Sequence, residues 1–449
     1  MTECPVARNA RERPDSTALR FGTSTWTWAR LDTEVRLWHG ALLRERVGPG
    51  DRVAVRSPNR PEILALLHAC ARARAALCPI NTRLAGPELE PLLRRLSPRV
   101  KIGDLPGSAS FEVFAEAAQP VDPPLLDDEA VHTILFTSGT TGTPKAAQLP
   151  IRAHLRNALA SNEVLRIGQR SRYLATLPLF HVGGLAIAMR CAVAGAEMIL
   201  HPRFDEEACA RDLSLGATHA SFVAQTLARV LDTGCSVQGA TALVGGGPVP
   251  GDLLHRARGA GFEVLQTYGL TETASQVCCE RPGEADGTTA GRPLPGTEIR
   301  IGADGEIEVR GATLMLGYLG EPPVRDWFRT GDLGEIDSRG RLIVHARRTD
   351  LIVSGGENIY PAEVEAALLT HPAVAQAAVV PWPDPSLGQV GCAAVVTRAP
   401  VGSQELDTHV RKRLAGFKAP RRYVFLLDLP RAESGKLDRV ALLRTLQAR

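Results

Sequence analysis

The stretch Thr133–Lys145, which reads TILFTSGTTGTPK, places the strongest constraint on how this chain folds. It opens with the apolar, β-prone run Thr133–Phe136, which predicts a buried strand. The loop that follows holds five hydroxyl residues and two glycines before Lys145, and no acidic residue. Glycines let the backbone turn sharply and present N–H groups to an anion, while hydroxyls and a lysine add donors and charge. The pattern predicts a polyphosphate-binding loop at the end of a strand.

A polar surface loop is the alternative interpretation, because Ser, Thr and Gly are also ordinary loop residues. The loop is not a Walker P-loop, since Thr143 and Pro144 separate Gly142 from Lys145, whereas that motif needs Gly-Lys-Ser/Thr in succession. By itself the loop favours phosphate binding and identifies no nucleotide.

Length and composition limit the class of protein. At 449 residues the chain exceeds the size at which a single core stops growing, so two or more domains are expected. A content of 44% hydrophobic and 22% charged residues is that of a globular protein. The net charge of +3 arises from nearly balanced acids and bases, which gives no reason to expect a nucleic-acid partner.

Cysteine usage and the amino terminus bear on the compartment. The nine cysteines form no C-x-x-C pair, which predicts reduced thiols in a cytoplasmic protein and neither a zinc site nor a disulfide framework. The polar amino terminus has no apolar signal segment. The most apolar stretch, Ile63–Ile80, carries His68, Arg72 and Arg74, so no membrane insertion is expected.

Alternation of short strands and helices predicts a parallel sheet. Arg52–Val55 is strand-like, Arg60–Arg74 has helical spacing, and Ala76–Ile80 is again strand-like, which together predict a βαβ unit. The Pro-, Asp- and Gly-rich segment Val100–Leu126 is expected to loop over the surface. From Gly291 onward, short β segments separated by Gly/Asp turns predict a small barrel or meander.

A second candidate site is Gln266–Thr273, which reads QTYGLTET and directly follows a predicted strand. In open α/β sheets, ligands bind at the carboxyl ends of strands. Tyr268 could stack on a base, Thr271 could contact a phosphate, and Glu272 could hold Mg²⁺, which prefers oxygen ligands. The alternative is a helix N-cap, with Thr271 as the cap and an acid in the first turn.

Two weaker candidates lie further along the chain. Asp332, in Thr330-Gly331-Asp332, and Arg347 could together bind the two hydroxyls of a ribose, although Gly and Asp are also turn residues. Lys436 lies on a Ser-Gly turn near the carboxyl end, where a lone lysine is usually only solvated.

Taken together, the motifs TSGTTGTPK, YGLTE, TGD, SGGENIYPAEVE and SGKLDR occur in the order found in the adenylate-forming acyl-CoA synthetases, and the chain resembles that family from about Ser24 to Arg439. Within the family, Pro178–Arg190, Gln266–Val277 and Val353–Glu365 resemble compact CoA ligases for an aromatic keto-diacid. The resemblance implies an α/β fold with a large N-terminal domain, residues 1–348, of two α/β subdomains plus a small distorted β-barrel. It also implies a small mobile α+β C-terminal domain, residues 349–449.

The resemblance implies that an acid attacks the α-phosphate of ATP, giving an acyl-adenylate and pyrophosphate. The catalytic residues would be Lys436, Thr271 and Glu272, of which Glu272 would also hold Mg²⁺. The implied ATP-binding residues are Thr137, Ser138, Gly139, Thr140, Thr141, Gly142, Lys145, Gly245, Gly246, Gly247, Tyr268, Gly269, Thr271, Asp332 and Arg347.

The family's second half-reaction is attack by the thiol of coenzyme A, after the C-terminal domain swings about a hinge. The resemblance implies that the hinge is Thr349 and that the swing withdraws Lys436. The residues implied to line the thiol tunnel are Gly355, Gly356, Glu357 and Asn358.

The implied acid pocket consists of His181, Gly183, Arg190, Ser275 and Gln276. An arginine among the small and apolar residues of Leu185–Val193 suits a second carboxylate on the acid, because a buried anion needs a cationic partner. The alternatives are that Arg190 reaches water at a helix end and that His181 is a packed core residue.

The chain departs from the family pattern at Ala146, Ala346 and Thr349, and Gly183 stands where some of these ligases carry serine. None of these changes removes a charged or nucleophilic group, so activity is expected to survive. Three rival hypotheses stay open: a CoA ligase for another aryl, medium-chain or malonyl-type acid, an adenylation enzyme that loads a carrier protein, and a nucleotide-binding pseudoenzyme. A homodimer is a further open prediction.

Overall fold

The structure of the protein is a computed structural model. It describes residues 1–116, 118–137, 144–246, 249, 251–347, 352–430 and 439–448, without the side chains of residues 252, 345–347, 362 and 440. The chain divides into two compact units. The first contains Met1–Thr82, Leu96–Phe136 and Ala146–Ala346, and the second contains Arg83–Arg95, Thr137–Lys145 and Arg347–Arg449.

The helices are numbered in chain order. They are α1 Pro5–Glu12, α2 Trp28–Arg44, α3 Pro61–Arg72, α4 Gly86–Leu96, α5 Phe111–Ala115, α6 Ile151–Leu165, α7 Val182–Ala194, α8 Glu206–Ser214, α9 Ala224–Asp232, α10 Gly251–Gly259, α11 Pro361–Leu369, α12 Ser403–Arg411 and α13 Arg439–Gln447. Single 3₁₀ turns occur at Thr271–Thr273 and Gly416–Lys418. In the part of the chain described, no helix is long and apolar enough to span a membrane.

The strands are likewise numbered in chain order. They are β1 Thr17–Phe21, β2 Ser24–Thr27, β3 Arg52–Arg56, β4 Ala76–Pro79, β5 Val100–Gly103, β6 Val131–Thr137, β7 Lys145–Pro150, β8 Arg172–Ala175, β9 Glu197–Leu200, β10 His219–Phe222, β11 Thr241–Val244, β12 Glu263–Leu270, β13 Ser275–Cys279, β14 Arg292–Pro293, β15 Thr297–Ile301, β16 Glu306–Gly311, β17 Gly317–Tyr318, β18 Phe328–Ile336, β19 Leu342–Arg347, β20 Ile352–Ser354, β21 Glu357–Ile359, β22 Val374–Asp384, β23 Gly388–Thr397 and β24 Arg422–Phe425.

Two largely parallel sheets form the framework of the first unit. A nine-stranded sheet has the order β14-β13-β12-β11-β10-β8-β9-β1-β2, and a six-stranded sheet has the order β17-β7-β6-β4-β3-β5. The predicted βαβ unit is confirmed: β3 and β4 pair in parallel with Arg52 opposite Ala76, and α3 connects them. Their strands are continuous apolar runs because helices cover both faces of a parallel sheet.

The antiparallel region expected after Gly291 is a four-stranded sheet of order β15-β16-β18-β19. In the second unit, β21, β20, β23 and β22 form a sheet, to which β24 adds in parallel beside β23. A core of thirteen apolar residues, which includes Ile352, Val364 and Leu406, packs that unit. The mixed α/β fold class predicted from the sequence is therefore confirmed.

The segment Val100–Leu126 does not merely loop over the surface, as the sequence had suggested. It contributes the edge strand β5 and the short helix α5. The rings of Phe111 and Phe114 lie 5.9 and 5.6 Å from that of Trp38, so the segment closes one end of the core. The sequence did not predict this helix, because only two of its residues face inward and the surrounding segment is rich in Pro, Gly and Asp.

Candidate active site

The glycines after β11 lie beside the end of β12. These two strands pair in parallel with Val244 opposite Gln266, so both chains leave the sheet at the same edge. A Cβ atom on Gly245 would lie 2.8 Å from Cγ2 of Thr267, and Gly246 has φ +84°. Only glycine fits this close approach, and the backbone of Gly245 and Gly246 is therefore bare next to Tyr268.

A hydrogen bond joins two of the residues that are predicted to bind the nucleotide. The hydroxyl of Tyr268 on β12 donates to Oδ2 of Asp332 on β18 at 2.7 Å. Asp332 is only 2% exposed, and its backbone N–H donates to Oγ1 of Thr330 at 3.1 Å. The fold thus brings together an aromatic ring and a carboxylate that are 64 residues apart.

The acidic residue of the YGLTE motif lies in the 3₁₀ turn Thr271–Thr273. Leu270 occupies the N-cap position, so the alternative interpretation of Thr271 as a helix N-cap is wrong. The carboxylate of Glu272 is 8% exposed and accepts a hydrogen bond of 2.7 Å from the hydroxyl of Tyr318. The sequence did not indicate Tyr318, because no motif links two residues so far apart.

The surroundings of Glu272 fit Mg²⁺. No group of three or more His, Cys, Asp or Glu side chains that could hold a metal occurs in the described part of the chain. Mg²⁺ is commonly bound through one or two carboxylates together with phosphate oxygens of the substrate, so a single carboxylate suffices. Glu272 therefore suits an ion that arrives with a nucleotide.

The hairpin that joins β12 to β13 is unusually tight. A Cβ atom on Gly269 would lie 1.8 Å from the carbonyl oxygen of Ser275, so only glycine fits there. Ala274 and Ser275, which follow the 3₁₀ turn, have φ values of +54° and +116°. This conformation is rare for residues other than glycine.

Gln276 is held at both ends of its side-chain amide. Its Oε1 accepts a hydrogen bond of 2.6 Å from Ser161 on α6, and its Nε2 donates to Oγ1 of Thr267 at 2.9 Å. The side chain is 2% exposed and so connects α6 to the strand that carries Tyr268. The place of Gln276 in the acid pocket stays a prediction, and sequence reasoning missed Ser161 and Thr267 as its partners.

Arg190, in the body of α7, is buried. It is 1% exposed, so the alternative that it reaches water at a helix end is wrong. Its Nη2 donates to Oγ of Ser275 at 3.4 Å, which is a long hydrogen bond, and Asn162 holds its carbonyl oxygen at 3.0 Å. Among the described residues its Nε has no hydrogen-bond partner, and no carboxylate forms an ion pair with it.

The groups around Arg190 are neutral. Burial raises the pKa of Tyr173, and the Arg190 guanidinium opposes that rise. Burial likewise raises the pKa of the Cys191 and Cys279 thiols to about 12, again against the effect of Arg190. The pKa of His219 is lowered by burial and, to a lesser degree, by Arg190. The arginine therefore lies among side chains that do not neutralise it.

Two further predicted pocket residues lie at the start of α7. His181 is its N-cap residue, and its ring lies 4.7 Å from that of Phe180. A Cβ atom on Gly183 would meet Cδ1 of Leu177 at 3.2 Å, so serine would fit there only if Leu177 shifted slightly. A Cβ atom on Gly184 would lie 2.2 Å from the Pro178 carbonyl oxygen, a constraint that sequence reasoning missed.

In the second unit, the residues predicted to line a thiol tunnel lie in the turn between β20 and β21, which is Gly355 and Gly356, and at the start of β21, which is Glu357 and Asn358. Gly355 and Gly356 have φ values of +55° and +82°. Asn358 is exposed, whereas Glu357 is buried and paired with Arg83 of the same unit. Arg83 carried no signal in the sequence that would have linked it to this turn.

The described structure reaches the borders of the remaining predicted site residues. Thr137 ends β6 and Lys145 begins β7, so the two flank the opening loop. Arg347 ends β19. The predictions for Ser138, Gly139, Thr140, Thr141, Gly142, Gly247, Thr349 and Lys436 fall on residues outside the described part of the chain.

Bare glycines and a tyrosine lie at the ends of neighbouring parallel strands, the tyrosine donates to an aspartate of the antiparallel sheet, and a buried glutamate follows in a turn. These groups suit a nucleotide that arrives with Mg²⁺, and the class of protein that they indicate is a nucleotide-binding enzyme. Comparison with known proteins gives the family. Residues 6–319 match the AMP-binding enzyme family and residues 363–436 match the C-terminal domain of AMP-binding enzymes. The chain belongs to the AMP-binding enzyme family, and the resemblance found in the sequence is confirmed.

Individual relatives are similar over their whole length. The 2-succinylbenzoate–CoA ligase of Geobacillus kaustophilus is 39% identical over 484 residues, covering 99% of each chain. A double mutant of o-succinylbenzoate CoA synthetase from Bacillus subtilis, bound to a product analogue, is 34% identical over 98% of each chain with a TM-score of 0.93. The complex of that synthetase with ATP and magnesium ion is 33% identical, covers 98% of this chain and 99% of its own, and has a TM-score of 0.75.

Proposed function

We propose that this protein is an ATP-dependent acid–CoA ligase that converts o-succinylbenzoate to o-succinylbenzoyl-CoA, a step of menaquinone biosynthesis. The acid is first activated as an acyl-adenylate, and the thiol of coenzyme A then displaces AMP. Full-length similarity to 2-succinylbenzoate–CoA ligases supports this reaction. The single observation that carries the choice of acid is the buried, uncompensated cation of Arg190.

In the first half-reaction the protein mainly positions ATP and stabilises charge at the α-phosphorus. Tyr268 stacks on adenine beside Gly245 and Gly246, and Asp332, held by the Tyr268 hydroxyl, binds the ribose. The loop from Thr137 to Lys145 holds the phosphates that leave as pyrophosphate. Glu272 holds Mg²⁺, which when bound neutralises phosphate charge.

Lys436 bridges the attacking carboxylate and the α-phosphate in this proposal. Replacing it in Lys436→Ala should retain ATP binding but lose most of the acid-dependent exchange of pyrophosphate into ATP. Exchange near the wild-type rate would show that Lys436 has another role. For the second half-reaction, residues 349–449 form a domain that turns at Thr349, so that Gly355–Asn358 face the thiol.

Arg190 selects the acid. A guanidinium that is 1% exposed and has no described acidic partner is costly to bury, because desolvation of a charge exceeds what neutral neighbours return. o-Succinylbenzoate keeps its ring carboxylate when its succinyl carboxylate is activated, and that second anion supplies the missing partner. A plain fatty acid carries no such group.

Replacement of Arg190 tests this assignment. Arg190→Leu should raise the KM for o-succinylbenzoate about 30-fold or more, since removing one member of a buried ion pair costs about 2 kcal/mol or more. The KM for ATP should change little. Arg156→Leu, which removes an exposed arginine from α6, is the matched control and should change neither constant. Equal changes in both constants for Arg190→Leu would mean that this arginine is structural.

A panel of carboxylic acids, assayed for CoA thioesters with ATP and Mg²⁺, decides between this function and its rivals. o-Succinylbenzoate should be preferred over 4-oxo-4-phenylbutanoate, which lacks the ring carboxylate, and over malonate and medium-chain acids. Pyrophosphate exchange without any thioester would indicate an adenylation enzyme that loads a carrier protein. The cytoplasmic location and the homodimer stay predictions, and size-exclusion chromatography with light scattering tests the latter.

A further inference from the structure

The backbone at Ser275 is strained. Its φ of +116° lies outside the allowed regions for residues with a side chain, and Ala274 before it has φ +54°. Glycine adopts such a conformation without cost. A serine at this position is therefore expected to lower the stability of the fold, unless its side chain is retained for another reason.

The neighbours of the hairpin impose this conformation. The pairing of β12 with β13 shifts register between Tyr268 and Gly269, after which Leu270 lies opposite Ser275. Thr273 donates its hydroxyl to the Ser275 carbonyl oxygen at 3.1 Å. Asn157 on α6 donates to the carbonyl oxygen of Gln276 at 2.8 Å. The backbone is thus held from both sides, which is how a strained residue persists in a folded protein.

The side chain of Ser275 points to a specific partner. Its hydroxyl accepts the hydrogen bond from Nη2 of Arg190 at 3.4 Å. Besides this hydroxyl, the phenol of Tyr173 is a neutral hydrogen-bond partner of the Arg190 guanidinium. Among the described residues, Nε of Arg190 is buried without a partner. Ser275 itself is only partly buried, so the hydroxyl lies between the buried cation and the more open side of the hairpin.

We infer that Ser275 is a positioning residue, kept in a strained conformation because its hydroxyl orients the Arg190 guanidinium toward the second carboxylate of the acid. The identity of the acid in this inference rests on the proposed function, whereas the backbone strain at Ser275 does not. Glycine at position 275 gives a more stable protein with poorer discrimination between a diacid and the corresponding monoacid.

Three variants separate strain from positioning. Ser275→Gly relieves the strain and removes the hydroxyl, whereas Ser275→Ala removes the hydroxyl alone. Ser97→Gly is the matched control, because Ser97 also has a positive φ, +45°, but is exposed and on a separate segment. Each is measured for its midpoint of thermal unfolding and for kcat/KM with o-succinylbenzoate and with 4-oxo-4-phenylbutanoate.

Ser275→Gly should raise the midpoint by roughly 1–3 °C, as expected for relief of one strained residue in a chain of this length. It should also lower the ratio of the two kcat/KM values about fivefold or more, the scale of one hydrogen bond, with the KM for ATP unchanged. Ser275→Ala should lower the ratio equally without raising the midpoint. Ser97→Gly should raise the midpoint without changing the ratio.

If the midpoint of thermal unfolding is unchanged or lower in Ser275→Gly but higher in Ser97→Gly, the claim that the backbone at Ser275 is strained is wrong. An unchanged ratio in both Ser275 variants, or a parallel rise in the KM for ATP, would overturn the positioning role. If the wild-type enzyme itself does not prefer o-succinylbenzoate over the monoacid, the proposed substrate is wrong. That outcome also removes the positioning role, while the unfolding midpoints still decide the strain.

Discussion

Acidification from pH 7.5 to 5 is expected to destabilise the first unit by about 8 kcal/mol, because four histidines are buried there in neutral form. His39 is 4% exposed, His68 is 3% exposed, and His132 and His154 are 1% exposed. Burial lowers the pKa of His68 to about 3 and the pKa values of His39 and His132 to about 4, and it holds the pKa of His154 well below its usual value. The rings of His132 and His154 meet edge to face at 5.1 Å, so a charge on either would repel the other.

The sign follows from proton binding. An unfolded histidine titrates near pH 6.5, so below that pH the unfolded chain binds more protons than the folded chain and stability falls. The loss begins at about pH 6.5 and ends only below the folded pKa values of 3 to 4. At pH 5 each buried histidine has lowered the free energy of unfolding by about 2 kcal/mol. This change is large compared with a typical protein stability of roughly 5–15 kcal/mol.

Urea unfolding at pH 7.5, 6.5, 5.5 and 5.0 measures this effect. The buried Trp26, Trp28 and Trp38 lie in the core of the same unit and report its unfolding by fluorescence. The free energy of unfolding should fall by about 5 kcal/mol per pH unit below pH 6, which is four protons at about 1.36 kcal/mol each. Measurements stay at or above pH 5 because burial raises the pKa of Glu280 and Glu363, which act with the opposite sign at lower pH.

A pair of variants assigns the slope. His132→Gln should reduce it by about one quarter, because glutamine does not titrate and its amide can still donate to the Leu67 carbonyl oxygen that accepts from His132 at 3.0 Å. His255→Gln, at an exposed position of α10, should leave the slope unchanged. A free energy of unfolding that stays constant between pH 7.5 and 5.5 would refute the claim that these histidines are buried in neutral form.

Two further substitutions each test a contact within one of the two units. Tyr268→Phe should raise the KM for ATP about tenfold and leave that for the acid unchanged, because it removes the 2.7 Å hydrogen bond that holds Asp332; steady-state kinetics would contradict this if both constants stayed at wild-type values. Lys418→Met should lower stability by about 3–5 kcal/mol, because the Lys418 ammonium lies 2.7 Å from Glu88 and 2.8 Å from Glu363 and its loss leaves two buried carboxylates without a cation. Thermal unfolding measures that loss, and a variant as stable as the wild type would mean that the three groups are neutral or hydrated.

The periodicity of apolar residues predicted the central strands and helices of the first unit well, but it did not predict the short helix α5. The β3–α3–β4 unit was visible because apolar strands alternate with a helix whose residues are nearly all buried. The helix α5 was not visible, since five residues with two inward phenylalanines carry too weak a period to stand out among prolines and glycines. Its stability comes from packing on Trp38, a contact that no local pattern contains.

The candidate site divides in the same way. Motifs indicated where Tyr268 and Glu272 lie, at the end of β12 and in the turn after it, because both follow a recognisable apolar strand. They did not indicate that Asp332 lies inside a strand, β18, since its Gly-Asp pair is also typical of a turn. They did not reveal that Tyr268 donates to Asp332, or that Glu272 accepts from Tyr318, 46 residues away. Pairings of this kind depend on which elements of different sheets lie side by side in the folded protein, and the local sequence pattern does not predict that.

The choice of acid depends on a property that only the folded chain has. From the sequence, Arg190 was an unusual arginine in an apolar helix, and an arginine that reaches water at a helix end was the alternative explanation. In the structure it is buried against Tyr173, Cys191 and Cys279, whose thiol and phenol groups stay neutral because burial raises their pKa values. An apolar side chain of similar volume would be expected to stabilise such a site by about 1–4 kcal/mol in the absence of ligand. A fold that retains the arginine, and next to it a strained serine that bonds it, is less stable than it need be, and an anionic ligand recovers that difference only when it is bound.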